Sequence, residues 1–214
     1  MGHMHYKLVA FDMDGTLVVE PNSWEIIHYH FRVMEKAAEN LKAWERGEID
    51  YPEFMRRDIS LWKPRPRISQ IEEILSDFKL APNASEVVRG LHEKGYQVAI
   101  VSGGVDILAQ KVANRLGIEY VLANGLETDG RGYLTGEGIF RVDPRRKHEA
   151  LKGLTDRLGI RMGECVGVGD SKYDIGLLKN VGMGVAIGKD EVLARVADVV
   201  IEDFEDFGML LDYL

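Results

Sequence analysis

An α/β fold with a parallel sheet covered by helices on both faces is predicted by three observations in this 214-residue sequence. Three short apolar runs each end in a polar loop, the stretches between them carry helical periodicity that stops at glycine, and residues from about 20 to 80 read as helices with no buried strand among them. Strands alternating with helices build such a sheet, and its ligands bind beyond the carboxyl ends of the strands. The three polar loops therefore share one crevice.

The first run, Lys7-Leu8-Val9-Ala10-Phe11, stops at Asp12-Met13-Asp14-Gly15. Tyr96-Gln97-Val98-Ala99-Ile100-Val101 stops at Ser102-Gly103-Gly104, and Glu164-Cys165-Val166-Gly167-Val168 stops at Gly169-Asp170. The intervening helices are expected over Ser85 to Lys94, Val105 to Leu116 and Pro144 to Leu158, each followed by a glycine suited to ending a helix. In the strand-free region, Asn22 with Glu25, Asp50 with Glu53 and Ser69 with Glu72 have the spacing of an N-cap and its N3 partner. Ile27, Phe31, Met34, Ala38 and Leu41 fall on one helical face, which predicts a small bundle whose apolar stripe packs internally. Trp24, Trp44 and Trp62 are expected in that stripe rather than in the crevice. The expected division is a catalytic core of 1–17 and 82–214 interrupted by a helical cap of 18–81. Asp129-Gly130, between Leu126-Glu127-Thr128 and Tyr133-Leu134-Thr135-Gly136, marks a β-hairpin.

The composition, 45% hydrophobic and 29% charged, is that of an ordinary globular protein, and no apolar run reaches the length of a membrane span. The net charge of −8 opposes nucleic-acid binding, which needs a basic face. The single cysteine, Cys165, lies in an apolar run and reads as core. The opening Met1-Gly2-His3-Met4-His5 has no apolar or Arg-rich targeting pattern, and the remaining histidines form no zinc-ligand cluster. A cytoplasmic chain, monomer or homodimer, with a small soluble partner is the expectation.

Two aspartates one residue apart at the end of a strand aim at the same point from neighbouring directions. Asp12 suits a carboxylate nucleophile for phosphorus; Asp14 suits a general acid toward the leaving oxygen and then a base toward water. Gly15 lets the backbone turn, and Thr16 offers a hydroxyl to phosphoryl oxygens. Alone, Asp-x-Asp-Gly is also the pattern of a solvated turn or half a calcium loop. Ser102-Gly103-Gly104 offers a hydroxyl and amides just before a helix start, where phosphate is favoured; alone it is a strand-to-helix turn. In Gly169-Asp170-Ser171-Lys172-Tyr173-Asp174, Asp170 suits a direct Mg²⁺ ligand and Asp174 a group orienting the metal's water, with an ordinary helix cap as the plain alternative. These carboxylates and a phosphate repel one another, so cations must offset them: Mg²⁺, and a lysine from the run Arg145-Arg146-Lys147-His148, among whose members composition does not choose.

In this order the segments resemble the four motifs of the haloacid-dehalogenase superfamily: Asp12-Met13-Asp14-Gly15-Thr16, Ser102, a lysine, and Gly169 to Asp174. The resemblance spans nearly the whole chain. It implies a Rossmann-like core with an inserted small helical cap and a short β-hairpin flap, Mg²⁺ bound by Asp12, the Asp14 main-chain carbonyl and Asp170, and phosphate held by Ser102, Gly103 and the lysine. An acid/base Asp14 is similar to the phosphatase and mutase branch. Within it, Val98 to Ile107, Ala123-Asn124-Gly125-Leu126, the hairpin and the cap are similar to phosphoserine phosphatases, where the lysine starts a helix and precedes an acidic residue and a leucine. Lys147-His148-Glu149-Ala150-Leu151 matches, so the resemblance assigns Lys147. That family's cap holds serine with a glutamate and an arginine. Glu20 stands for the first, but the arginine position holds Asp58, which leaves Arg56 or Arg57 as substitutes; Tyr173 also stands where the family carries asparagine.

The resemblance thus implies a Mg²⁺-dependent phosphomonoester hydrolase working through an aspartyl-phosphate on Asp12, with L-phosphoserine as leading substrate. Another small phosphorylated metabolite, or transfer to a second alcohol, is the near alternative. A signalling receiver that only accepts phosphate is the distant one, opposed by Asp14, the cap and the length. A silent binding protein has no use for the complete catalytic set.

Overall fold

The computed structural model describes residues 6–19 and 21–214. The expectations for Met1 to His5 and for Glu20 lie outside these residues. Seven strands form one sheet: β1 (Leu8–Phe11), β2 (Gln97–Val105), β3 (Tyr120–Thr128), β4 (Leu134–Ile139), β5 (Cys165–Gly169), β6 (Met183–Ile187) and β7 (Val199–Ile201), in the order β4-β3-β2-β1-β5-β6-β7. All neighbours are parallel except β3 and β4, which make the predicted hairpin. β1 is central, pairing with β2 through Leu8↔Gln97 to Phe11↔Ile100 and with β5 through Leu8↔Cys165 to Phe11↔Val168.

Alternation along β1 sends Val9 and Phe11 into one hydrophobic cluster and Leu8 and Ala10 into another, so both faces of the sheet are core. Burying Leu8, Val9 and Phe11 contributes about 1.5–3 kcal/mol each. The strand that presents Asp12 at its end is therefore firmly anchored. The covering helices include α5 (Ala84–Glu93), α6 (Asp106–Leu116) and α7 (Lys147–Leu158), close to the predicted spans, with short α8 (Ile175–Leu178) and α9 (Glu191–Ala194) toward the carboxyl end. Between β1 and α5 lie α1 (Ser23–Phe31), α2 (Met34–Glu45), α3 (Tyr51–Leu61) and α4 (Ile68–Ile74), with no strand among them. Asn22 and Glu25 form the predicted capping box, and the Asp50 side chain accepts from the Glu53 amide. Among the described residues no helix is long and apolar enough to cross a membrane.

Four details differ from expectation. β2 does not stop at Val101 but continues in extended form to Val105, with its register against β3 shifting in between, so Ser102 to Gly104 is a bulged strand end rather than a separate loop. β6 and β7 extend the sheet beyond the three buried runs and the hairpin that the sequence predicts. α4 begins at Ile68, because the Gln70 side chain already satisfies the Arg67 amide, and Ser69 lies inside the helix. Arg32, in the left-handed conformation with φ 57°, separates α1 from α2 and splits the foreseen stripe. Ile27 is buried in the core, whereas Met34 and Leu41 are 40% and 39% exposed.

Candidate active site

Asp12 follows β1 directly, and its amide donates to the Val168 carbonyl of β5 at 2.8 Å, which extends the ladder one step and fixes where its carboxylate emerges. The chain then turns through Gly15, whose φ of +87° suits glycine; a Cβ there would collide with the Asp170 carboxylate. Thr16 Oγ1 donates to Asp170 Oδ1 at 3.1 Å, so the first and last polar loops are bonded to each other. Asp14 turns the other way. Its Oδ1 accepts from the Ser23 amide at 3.0 Å and its Oδ2 from the Ser23 hydroxyl at 2.8 Å, while the same hydroxyl oxygen accepts from the Val105 amide at 3.1 Å. Gly104 leaves room for this arrangement, since a Cβ there would strike Asp14 and Ser23.

Lys147, the first residue of α7, is 3% exposed and places Nζ 2.7 Å from Asp12 Oδ1 and 2.6 Å from Asp174 Oδ1. Burial pulls its ammonium toward neutrality, but Asp12 and Asp174 outweigh that and hold its pKa above the ordinary lysine range. Asp174, fully buried, spends Oδ2 on the Asp170 and Ser171 amides at 3.1 and 3.2 Å. Asp12, Asp170 and Asp174 each bring one oxygen within 4.8 Å of the others. Burial and then Asp174 push the Asp170 carboxyl up to about 6, and burial with Asp174 and Asp170 raises Asp12 well above its ordinary value despite Lys147. Asp14, raised by burial and lowered in part by Ser23, reaches about 6. One lysine thus does not offset three converging carboxylates. Hard oxygen donors around an excess of negative charge are what a divalent cation of the Mg²⁺ type requires, so the residues fit a metal held between Asp12 and Asp170, while Asp174 already has partners for both oxygens.

Ser102 and Gly103 complete the core side of the site. Ser102, 1% exposed, accepts from the Gly104 amide at 3.0 Å. The Gly103 carbonyl accepts from Tyr51 Oη at 2.6 Å, Asn124 Nδ2 at 3.0 Å and Trp24 Nε1 at 3.3 Å, which fixes the orientation of this peptide. A cavity of about 350 Å³ opens in front, with Asp12, Asp14, Ser102, Gly103, Lys147 and Asp170 at one end and residues of α1, α2 and α3 at the other. Trp24 and Trp44 are buried but line this cavity, as do Met34, Ala38 and Leu41, whereas Trp62 is core.

Of the residues expected to meet the substrate's leaving group, Arg56 and Arg57 lie on the outer face of α3, exposed and paired with Glu53 at 2.7 Å, and neither lines the cavity. Asp58 does line it, 1% exposed. Tyr173 reaches across to α2, where its hydroxyl donates to Glu45 Oε1 at 2.5 Å; Lys172 Nζ meets the same oxygen at 2.7 Å, and the Arg145 guanidinium lies 4.3 Å from the Trp44 ring centroid. Ser23, Asn124 and Tyr51 were not foreseen as positioning groups. Only the capping box next to Ser23 was a usable signal, since it sets the helix start that aims the Ser23 amide and hydroxyl at Asp14.

A family model described as haloacid dehalogenase-like hydrolase matches residues 9–179. The chain is 32% identical to a phosphoserine phosphatase of Methanocaldococcus jannaschii, over 97% of both chains. It is 34% identical to one of Archaeoglobus fulgidus over 90% of this chain and 55% of that protein. Among solved structures, a phosphoserine phosphatase with substrate bound superposes with a TM-score of 0.82 at 30% identity over 98% of both chains. A phospho-aspartyl intermediate analogue of phosphoserine phosphatase gives 0.81 at 30% identity over 98% and 99%. With its sheet order, its helical insertion after β1 and its four polar segments on strand and helix ends, this chain belongs to the haloacid dehalogenase-like hydrolase family.

Proposed function

We propose that the protein hydrolyses a small phosphomonoester in two steps, with Asp12 as the nucleophile. The observation that carries this reading is that two carboxylates from one strand end face one cavity with different partners: Asp12 on the Lys147 ammonium, Asp14 on neutral Ser23 donors. Asp12 attacks phosphorus in line; Asp14, whose carboxyl is pushed up to about 6, delivers its proton to the departing alkoxide and then takes one from the water that cleaves the aspartyl-phosphate. Lys147, Ser102 and the Gly103 segment orient the transferred group and offset its charge, whereas the Thr16 hydroxyl, expected to meet the phosphate, is spent on Asp170 and ties the two loops together. Mg²⁺, held by Asp12, Asp170 and the Asp14 main-chain carbonyl, would supply further charge stabilisation, with Asp174 positioning the loop that carries Asp170.

Residues 18–81 act in this reading as a cap on a core of 1–17 and 82–214, excluding water from the cavity and selecting the leaving group. L-phosphoserine, the substrate named by the relatives, is the first to test. A second reading, another small phosphorylated metabolite, is favoured by the outward placement of Arg56 and Arg57 and by Asp58 in the cavity. A cytoplasmic monomer or homodimer without nucleic-acid or membrane partners is consistent with the acidic composition. Phosphate release from L-phosphoserine and from an aryl phosphate, with and without Mg²⁺ and with Asp12→Asn alongside, tests the proposal. Mg²⁺-dependent release that Asp12→Asn lowers by about a thousandfold or more is expected; release untouched by the substitution would refute the assignment of Asp12.

A further inference from the structure

We propose, building on the phosphomonoesterase reading, that the cap end of the cavity binds an ammonium group on the leaving alcohol, so that the preferred substrate is the phosphomonoester of an amino alcohol that lacks a carboxylate. Trp62 Nε1 lies 3.0 Å from His28 Nδ1, and an indole N–H only donates, so Nδ1 is an acceptor and carries no proton. The ring's proton is then on Nε2, which donates to Asp58 Oδ2 at 2.9 Å, and the imidazole is neutral. The other oxygen, Oδ1, accepts from Asn40 Nδ2 at 2.7 Å. Asp58 is thus a carboxylate held by two neutral donors, 1% exposed, with its charge not offset by either. Burying such a charge is costly unless an opposite charge joins it.

The walls around Asp58 favour a cation as that partner. Trp24, Trp44 and Phe54 ring the cap end, with Trp24 to Phe54 and Trp44 to Phe54 centroids 5.9 and 6.0 Å apart, and aromatic faces attract ammonium groups. Among the described residues lining the cavity, the only ammonium or guanidinium is Lys147, already shared between Asp12 and Asp174. A substrate carboxylate at the cap end therefore finds no counter-charge and meets Asp58 instead. Positions 51, 54 and 58 of α3 share one helical face. Tyr51 touches Gly103 at the phosphate end, and Asp58 stands seven residues further, about 10 Å along the helix axis. Hydrogen-bond contacts take up about 3 Å at each end, and the remainder is about the reach from phosphorus to an ammonium two carbons beyond the ester oxygen.

The test compares O-phosphoethanolamine, phosphocholine and L-phosphoserine on the full chain with Mg²⁺, with an aryl phosphate as the measure of the basic reaction. The expected result is a kcat/KM for at least one of the first two about tenfold or more above that for L-phosphoserine. Asp58→Asn should lower the ratio of those two values by about tenfold, whereas a merely structural role lowers both together. Because Trp24 and Trp44 line this end of the cavity and the third tryptophan, Trp62, packs against Trp24, their fluorescence reports binding without turnover. Titrating Asp12→Asn with phosphocholine and with L-phosphoserine should show the tighter response to phosphocholine. L-phosphoserine turned over or bound as well as the amino-alcohol esters overturns the proposal. Selective binding of phosphocholine in the absence of aryl phosphate turnover keeps the ammonium site and removes the phosphatase reading instead.

Discussion

The two ends of the cavity are built by opposite means. At the core end, position comes from backbone: Asp12 is tied to β5, Asp14 to the first turn of α1, and Asp174 to the amides of its own loop. At the cap end it comes from packed rings around one buried carboxylate whose partners are side chains. The first arrangement tolerates little variation, because the main-chain groups that hold these aspartates are fixed by the strand and helix ends that carry them. The second changes its preference with a single residue, as Asp58 in place of an expected arginine illustrates. Reaction chemistry and substrate choice thus reside in regions with different structural constraints.

The sharpest way to break this contrast is at the core end. Chelating divalent ions should lower phosphate release by at least about a thousandfold, with Mg²⁺ restoring it; activity that survives exhaustive chelation would remove the role assigned to Asp12 and Asp170. Lys147→Ala strands Asp12 and Asp174 in the interior, and breaking such a buried pair costs about 3–5 kcal/mol, or roughly 10 °C in Tm for a chain of this size. A melting temperature no lower than that of Lys152→Ala, a surface control, would show the pair to be unimportant for stability.

Asp14→Asn separates stability from catalysis. The folded state raises the Asp14 carboxyl to about 6, so its protonated form is favoured on folding. The stabilisation this gives is complete below about pH 4, the range where the unfolded carboxyl titrates, and is lost as pH rises through about 6. Asparagine has no such loss. Relative to the wild type, the variant should gain on the order of 2 kcal/mol between pH 4 and 7 in chelator, while losing activity; a stability difference independent of pH would contradict the shift. Tyr173→Phe, which removes the hydroxyl bonded to Glu45, should cost about 1 kcal/mol and change turnover by a few fold, read by melting and steady-state kinetics. The smallest effect belongs to Arg56→Ala, where KM should move by less than about twofold because the guanidinium faces solvent. A large rise in KM there would return the arginine to the substrate site.

What the sequence reveals follows the same division. The apolar runs that lead into Asp12, Ser102 and Asp170 are legible because buried parallel strands are continuous apolar runs, although the continuation of β2 past Ser102 to Val105 is not. β7 is only three residues long, with Val200 41% exposed, and gives no periodic signal. The stripe of Met34, Ala38 and Leu41 is legible as a helical face, but a face toward a cavity and a face toward a core have the same spacing. Neither the neutrality of His28 nor the inward aim of Asp58 is visible in a linear pattern, since both depend on partners 18 to 34 residues away.

The Glu45 contact has a mechanical consequence. Lys172 and Tyr173, which grip this carboxylate from below, lie between Asp170 and Asp174, so the fastening of the helical insertion and the geometry of the acidic cluster share five residues of backbone. Any tug that swings α2 outward pulls on the segment holding Asp170, and any rearrangement at Asp170 loosens the grip on α2. The segment thus carries one anchor in each compartment, the grip on α2 through Glu45 and the carboxylate of Asp170 in the acidic cluster.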